Sequence, residues 1–115
     1  MDIKRYNTTA RYSDLVVHNH TAYFVEVPAS ASTDAGEQIR EILSAAETTL
    51  ALTGTSPSRL LSATIYLTDM ADYAAINAVW DKWLPAGTAP SRVCVQVSAL
   101  ARPEWRLEIA FIAAV

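Results

Sequence analysis

The stretch APSRVCVQVSAL, residues 89–100, decides how this chain is read. Val93 through Val97 is rich in β-branched residues and reads as a buried or half-buried strand. Arg92 opens that strand. A guanidinium placed there must reach water or meet an anion, because an unpaired buried charge is very costly.

Outward from that strand, the chain keeps alternating between strand and helix patterns. RLEIAFIAAV, residues 106–115, is the last strand. RLLSATIYL, residues 59–67, alternates with Leu61, Ala63, Ile65 and Leu67 on one face and Ser62, Thr64 and Tyr66 on the other. Between them a helix is expected from about Asp69 to Leu84, with Tyr73, Ile76, Trp80, Trp83 and Leu84 on one stripe and Pro85 ending it. Toward the start, DLVVHNHTAYFVEVP (14–28) reads as two short strands joined by the turn His18-Asn19-His20-Thr21 and halted by Pro28. ASASTD (29–34) follows as a loop. A second helix pattern begins at Asp34, the expected N-cap, with Glu37 as its reciprocal partner. Ile39, Ile42, Leu43, Ala46 and Leu50 recur at helical spacing, and Gly54 is the expected stop. The order is ββαβαββ: one α+β domain over residues 1–115, a mixed sheet with two helices on one face.

That layout assigns faces. Val93, Val95 and Val97 are expected under the helices with Leu107, Ile109 and Phe111. Arg92, Cys94 and Gln96 then fall on the opposite face, with Arg106, Glu108 and Ala110 and with Ser62, Thr64 and Tyr66. Such a face is either solvated or packed against another subunit, and the apolar tail IAFIAAV favours the second.

Composition narrows the function classes. With 51% apolar residues among 115, a core forms without disulfides or metals. A net charge of −3 and no basic run argue against nucleic acid. A single cysteine, Cys94, excludes an internal disulfide and a cysteine zinc cluster. The opening MDIKRYNTTARYSD lacks the apolar stretch of a signal peptide, and no run reaches membrane-spanning length. The expectation is a reduced, cytoplasmic protein with no membrane partner.

The chemistry-bearing residues are few. Three glycines build no phosphate cradle, and no serine-hydrolase elbow exists. His18 and His20 lie two apart in a turn with no third ligand near in sequence, so they read as solvent-exposed and no metal is expected. Cys94 projects to the same side as Arg92; it is either a small buried hydrophobe or a thiol activated by the guanidinium. Arg92 and Glu108 are either an interface salt bridge or a working pair. In the second case Arg92 grips a substrate carboxylate with its planar fork and Glu108 orients a water or moves a proton. Asn77 stands four residues after Tyr73 and three before Trp80, on or beside the apolar stripe, where its amide needs a partner in the backbone or in a ligand.

APSRVCVQVSAL followed by RLEIAFIAAV resembles the Rid (YjgF-type) family of enamine/imine deaminases. The resemblance runs through LLSATIYLTDMADYAAINAVWDKW and covers essentially the whole chain, and ARYSDLVVHNHTAYFVEVP is most similar to the family's YoaB-like branch. It implies a chorismate-mutase-like fold, with the last strand between the first and second core strands, assembled as a homotrimer with a cleft at each subunit boundary. Arg92 and Glu108 would then stand two strands apart in one subunit, about 10 Å between backbones. The family's carboxylate-binding arginine falls on Arg92, its water-positioning glutamate on Glu108 and its helix asparagine on Asn77. Tyr12 or Arg11 takes the place of its tyrosine, and Phe24 and Cys94 complete the implied binding residues. The best-known branch hydrolyses 2-aminoacrylate and related imines to 2-keto acids and ammonia without a cofactor. Here Ala10-Arg11-Tyr12-Ser13 and Phe24-Val25-Glu26 depart from that branch's Gly-Pro-Tyr and Ser-Gly-Gln. The other function class open to these residues is a non-catalytic protein that captures a small carboxylate metabolite and signals to, or stabilises, a partner.

Overall fold

The structure is a computed structural model describing residues 2–115. Its strands are β1 (Lys4–Tyr6), β2 (Leu15–His18), β3 (Thr21–Glu26), β4 (Leu60–Leu67), β5 (Ser91–Gln96) and β6 (Leu107–Ala114). Its helices are α1 (Ala35–Leu52) and α2 (Tyr73–Trp83), with short 3-10 turns at Pro57–Arg59 and Met70–Asp72. This is the expected ββαβαββ order, preceded by one short strand, β1, that the sequence pattern did not announce. Three residues are too few to show an alternation.

The sheet runs β1-β2-β3-β6-β4-β5. Only β4 and β5 pair in parallel, and α2 supplies the crossover such a pair requires. The last strand therefore lies between β3 and β4, not between the first two strands as the resemblance implied. The β2–β3 hairpin is too tight to admit a strand: Asn19 and His20 both take positive φ (53° and 58°) in a two-residue turn.

The core fills the space between the sheet and α1. Ile39, Ile42, Leu43, Ala46 and Leu50 are all buried, against Ile65, Ile109 and Phe111 among others. The Phe24 ring stacks on Phe111 at 5.0 Å between centroids. Each buried Ile, Leu or Phe here contributes about 1.5–3 kcal/mol on burial. Asp34 caps α1 by accepting from the Glu37 N–H at 2.9 Å. The reciprocal half of the expected capping box is absent: the Glu37 carboxylate reaches Arg40 at 3.4 Å, and the Asp34 N–H donates to Ser32 Oγ.

Two face assignments made from the sequence are corrected. In β4, Leu60 is buried and Leu61 is 50% exposed, because an irregularity between Leu60 and Ser62 in the pairing with β6 shifts the alternation by one residue. In β5 the faces are exchanged. Parallel pairing sets Arg92 beside Ala63 and Cys94 beside Ile65, both buried positions, while Val93 and Val95 pair with Thr64 and Tyr66. Arg92 and Cys94 thus lie on the helix side. Val93 (52% exposed) and Val95 (39%) lie on the open side, together with Tyr23, Val25 and Glu108. Apolar character misled the assignment: β5 is an edge strand, where a long side chain reaches the margin of the core and aromatic rings cover its charge.

Candidate functional site

Arg92 lies in the edge strand, under the start of α2. Its Nη2 donates to Tyr73 Oη at 3.2 Å. Its guanidinium lies 5.8 Å from the Tyr73 ring centroid and 5.4 Å from that of Trp80. Tyr73 and Trp80 are two helical turns apart, so one face of α2 presents both rings to the cation. No carboxylate among the described residues makes an ion pair with Arg92; the salt bridges there are Arg40–Glu37 and Arg106–Asp72. A cation stacked on rings and hydrogen-bonded by a phenol keeps most of its planar fork for an anion.

Asn77 lies between Tyr73 and Trp80 in the turns of α2, and its Oδ1 is buried without a hydrogen-bond partner. A buried acceptor left empty costs about 1–3 kcal/mol. Cys94 follows Arg92 on the same side, half-buried at the edge of the core. Burial pushes its thiol pKa up, and the Arg92 charge pulls it only partly back, so this is not an activated nucleophile. Gln96 accepts from the Met70 N–H at 2.9 Å, which ties the end of β5 to the turn that leads into α2.

The other expected site residues are elsewhere. Glu108 is paired with Tyr66 on the open face, half-buried, two strands from Arg92 but on the opposite side of the sheet. The expectation that both share one face of one subunit is therefore corrected, since β5 turned over relative to it. Tyr12 is 63% exposed in the loop between β1 and β2. It lies near the end of β3, where it lines a cavity with Val25, Val27 and Trp105. Arg11 is exposed in the same loop. Phe24, expected as a ligand contact, is 4% exposed and packed on Phe111. It is a core side chain, because even-numbered residues of β3 face the helices.

Beside Glu108 the open face carries a cavity of about 460 Å³, lined by Tyr12, Ser13, Asp14, Val25, Glu26, Val27 and Trp105. Val25 pairs with Ala110, and Glu108 is the next residue along that face of β6, about 7 Å away. Burial pushes the Glu26 carboxyl pKa up; a hydrogen bond from Thr49 Oγ1 at 2.8 Å opposes this and Asp14 adds to it. Two residues placed here escaped the sequence reading: Trp80 as a cover for a cation, and Trp105, which stands outside any strand alternation.

Among the described residues no group of three or more His, Cys, Asp and Glu is disposed to hold a metal. No helix among them is long and apolar enough to cross a membrane.

Comparison with known proteins extends over the full chain. The family model described as Endoribonuclease L-PSP matches residues 2–115. The RutC family protein YoaB of Escherichia coli is 43% identical over 115 residues, all of both chains. A RutC family protein of Haemophilus influenzae is 41% identical over 115 residues, 98% of each. The crystal structure of NMB1025, a YjgF-family protein of Neisseria meningitidis, superposes with a TM-score of 0.94 at 43% identity, covering 99% of this chain and 95% of that one. The edge-strand arginine, the helix asparagine and the six-stranded mixed sheet thus sit in a chain that belongs to the YjgF/Rid family, the family of RutC and L-PSP proteins.

Proposed function

We propose that this protein hydrolyses reactive 2-imino acids and their enamine tautomers to 2-keto acids and ammonia, in clefts between the subunits of a homotrimer. The observation that carries the reading is Arg92: a ring-stacked guanidinium with no carboxylate partner among the described residues. A ligand bearing a carboxylate supplies the anion that this guanidinium lacks.

Arg92 and Glu108 face opposite sides of one sheet, so a second copy of the chain must complete the site. The open face supports this, since Val25, Val93 and Tyr23 are 51%, 52% and 45% exposed there. In the assembled cleft, Arg92 holds the substrate carboxylate bidentately and Asn77 accepts from the imine N–H. The neighbour's Glu108 takes a proton from water as the oxygen bonds to the imine carbon, and hands that proton to the nitrogen, which frees the carboxylate again. That tetrahedral adduct then loses ammonia as its hydroxyl proton returns through Glu108, leaving the 2-keto acid. The electrophile is already reactive, so positioning does most of the work and the chemistry calls for no cofactor.

The test is release of ammonia and keto acid from freshly generated 2-aminoacrylate and from imines made in place by an amino-acid oxidase. Acceleration by the wild type that is lost in Arg92→Ala supports the reading. Under the alternative of a non-catalytic carboxylate-binding protein, the wild type binds keto acids, no imine is consumed faster, and Glu108→Gln changes nothing.

A further inference from the structure

One side chain pins the backbone on both sides of Trp105. Gln38, in α1 and fully buried, donates from Nε2 to the Glu104 carbonyl at 2.8 Å and accepts at Oε1 from the Arg106 N–H at 2.8 Å. The same Nε2 donates to the Ser32 carbonyl at 2.7 Å, so every atom of the amide is engaged with backbone. Trp105 is held further by its N–H to the Arg102 carbonyl at 3.2 Å, with the Arg102 guanidinium 6.0 Å from its ring centroid. Beyond it the Arg106 guanidinium forks onto Asp72 at 2.7 and 2.9 Å. A tryptophan in a loop is fixed in this way only at considerable cost in conformational freedom, and its ring forms a wall of the 460 Å³ cavity beside Glu108.

We infer that Trp105 determines which side chain the substrate carries: it and Val25, Val27 and Tyr12 form an apolar pocket that selects 2-imino acids with a long or branched apolar side chain, and Gln38 is the positioning residue that holds it. This rests on the deaminase reading above. The three atoms of 2-aminoacrylate beyond its carboxylate leave such a cavity largely empty. A leucine-like side chain brings apolar surface to the valines and the indole, while Asp14 and Glu26 occupy only part of the lining. Losing such contact is worth about ten- to a hundred-fold in kcat/KM, the scale found for missing methylenes in apolar pockets.

The experiment compares imines generated in place from leucine, alanine and arginine, reading kcat and KM separately. The wild type is expected to favour the leucine-derived imine. Trp105→Ala lowers kcat/KM for it about ten- to a hundred-fold, chiefly through KM, and lowers that for the alanine-derived imine by much less, so the ratio between the two falls. Trp105→Phe, which keeps a ring and folds more safely, shifts the same ratio less. Gln38→Ala reproduces the Trp105→Ala shift in the ratio, which loss of stability alone would not do. An unchanged ratio in both Trp105 variants overturns the inference and leaves the deaminase reading standing. A wild-type preference for the arginine-derived imine overturns the apolar assignment. No turnover of any imine removes the deaminase reading, and this inference with it.

Discussion

Arg92 and Glu108 point away from opposite faces of the same sheet, with β4 between their strands. Neither is a spare charge on a uniform surface. Arg92 rests on two aromatic rings, and Glu108 lies on the open face, where Val25 lines a cavity with Val27 and Trp105. In the function proposed above, each is half of a site that a second copy of the chain completes.

Assembly of copies through the open face is testable. Light scattering at micromolar concentration is expected to give three times the mass of the chain. Val95→Asp places a charge on a face that carries Val93, Val25 and Tyr23 exposed, and is expected to shift the mass toward one chain. A wild-type monomer at that concentration would leave both half-sites incomplete and remove the cleft.

Asn77 leaves a buried acceptor without a partner. Its Oδ1 has no partner, and replacing the amide by an apolar group of similar shape, Asn77→Leu, removes that buried acceptor. Thermal unfolding is expected to show a gain of about 1 kcal/mol. Calorimetric binding of a small keto acid is expected to weaken at the same time. A loss of stability with unchanged binding would make Asn77 a structural residue.

Geometry, not charge alone, defines the Arg92 site. Arg92→Lys keeps the positive charge but loses the planar fork and the stacking on Trp80. Affinity for a small keto acid is expected to fall about ten-fold, the loss of roughly one charge-assisted hydrogen bond. Equal affinity in titration calorimetry would show that the fork is not used.

Glu26 gives a pH dependence with a defined sign. Burial raises its pKa in the folded chain above the ordinary 4.5, so the folded state holds more protons than the unfolded state in the window just above that value. Its contribution to stability therefore falls as pH rises through that window and is a net cost at neutrality. Glu26→Gln keeps an acceptor for the Thr49 hydroxyl and removes the charge facing Asp14. The variant is expected to unfold at a higher temperature than wild type at pH 7, with the difference vanishing below pH 4.5. A constant difference across pH would assign the effect to packing instead.

The elements were legible where periodicity was long. The 18 residues of α1 show five apolar positions at helical spacing, and all five are buried. Arg92 and Asn77 stood out because a charge and an amide broke apolar patterns. The side that Arg92 faces was not legible, because in an edge strand of six residues the valines alternate as regularly outward as inward. Only the register with β4 decides it. Phe24 reads the same in a pocket as in a core, and stacking on a ring 87 positions away (Phe111) is not a local signal. Gln38 and Trp105 are joined across the chain by hydrogen bonds to backbone, which no pattern of side chains announces.

The opposed faces of Arg92 and Glu108 lead to a test that separates an intersubunit site from any site within one chain. If every cleft takes Arg92 from one subunit and Glu108 from the next, Arg92→Ala and Glu108→Gln are each expected to abolish turnover alone. When the two variants are unfolded together and refolded as a mixture, some clefts join the intact Arg92 of one variant to the intact Glu108 of the other. Random assembly around a cyclic trimer restores both residues in roughly a quarter of clefts, so imine hydrolysis is expected to return to about a quarter of the wild-type rate. Mixing without unfolding restores nothing if subunits do not exchange. If refolded mixtures stay inactive while each variant still assembles by light scattering, the two residues do not serve one cleft, and Glu108 loses its assigned role.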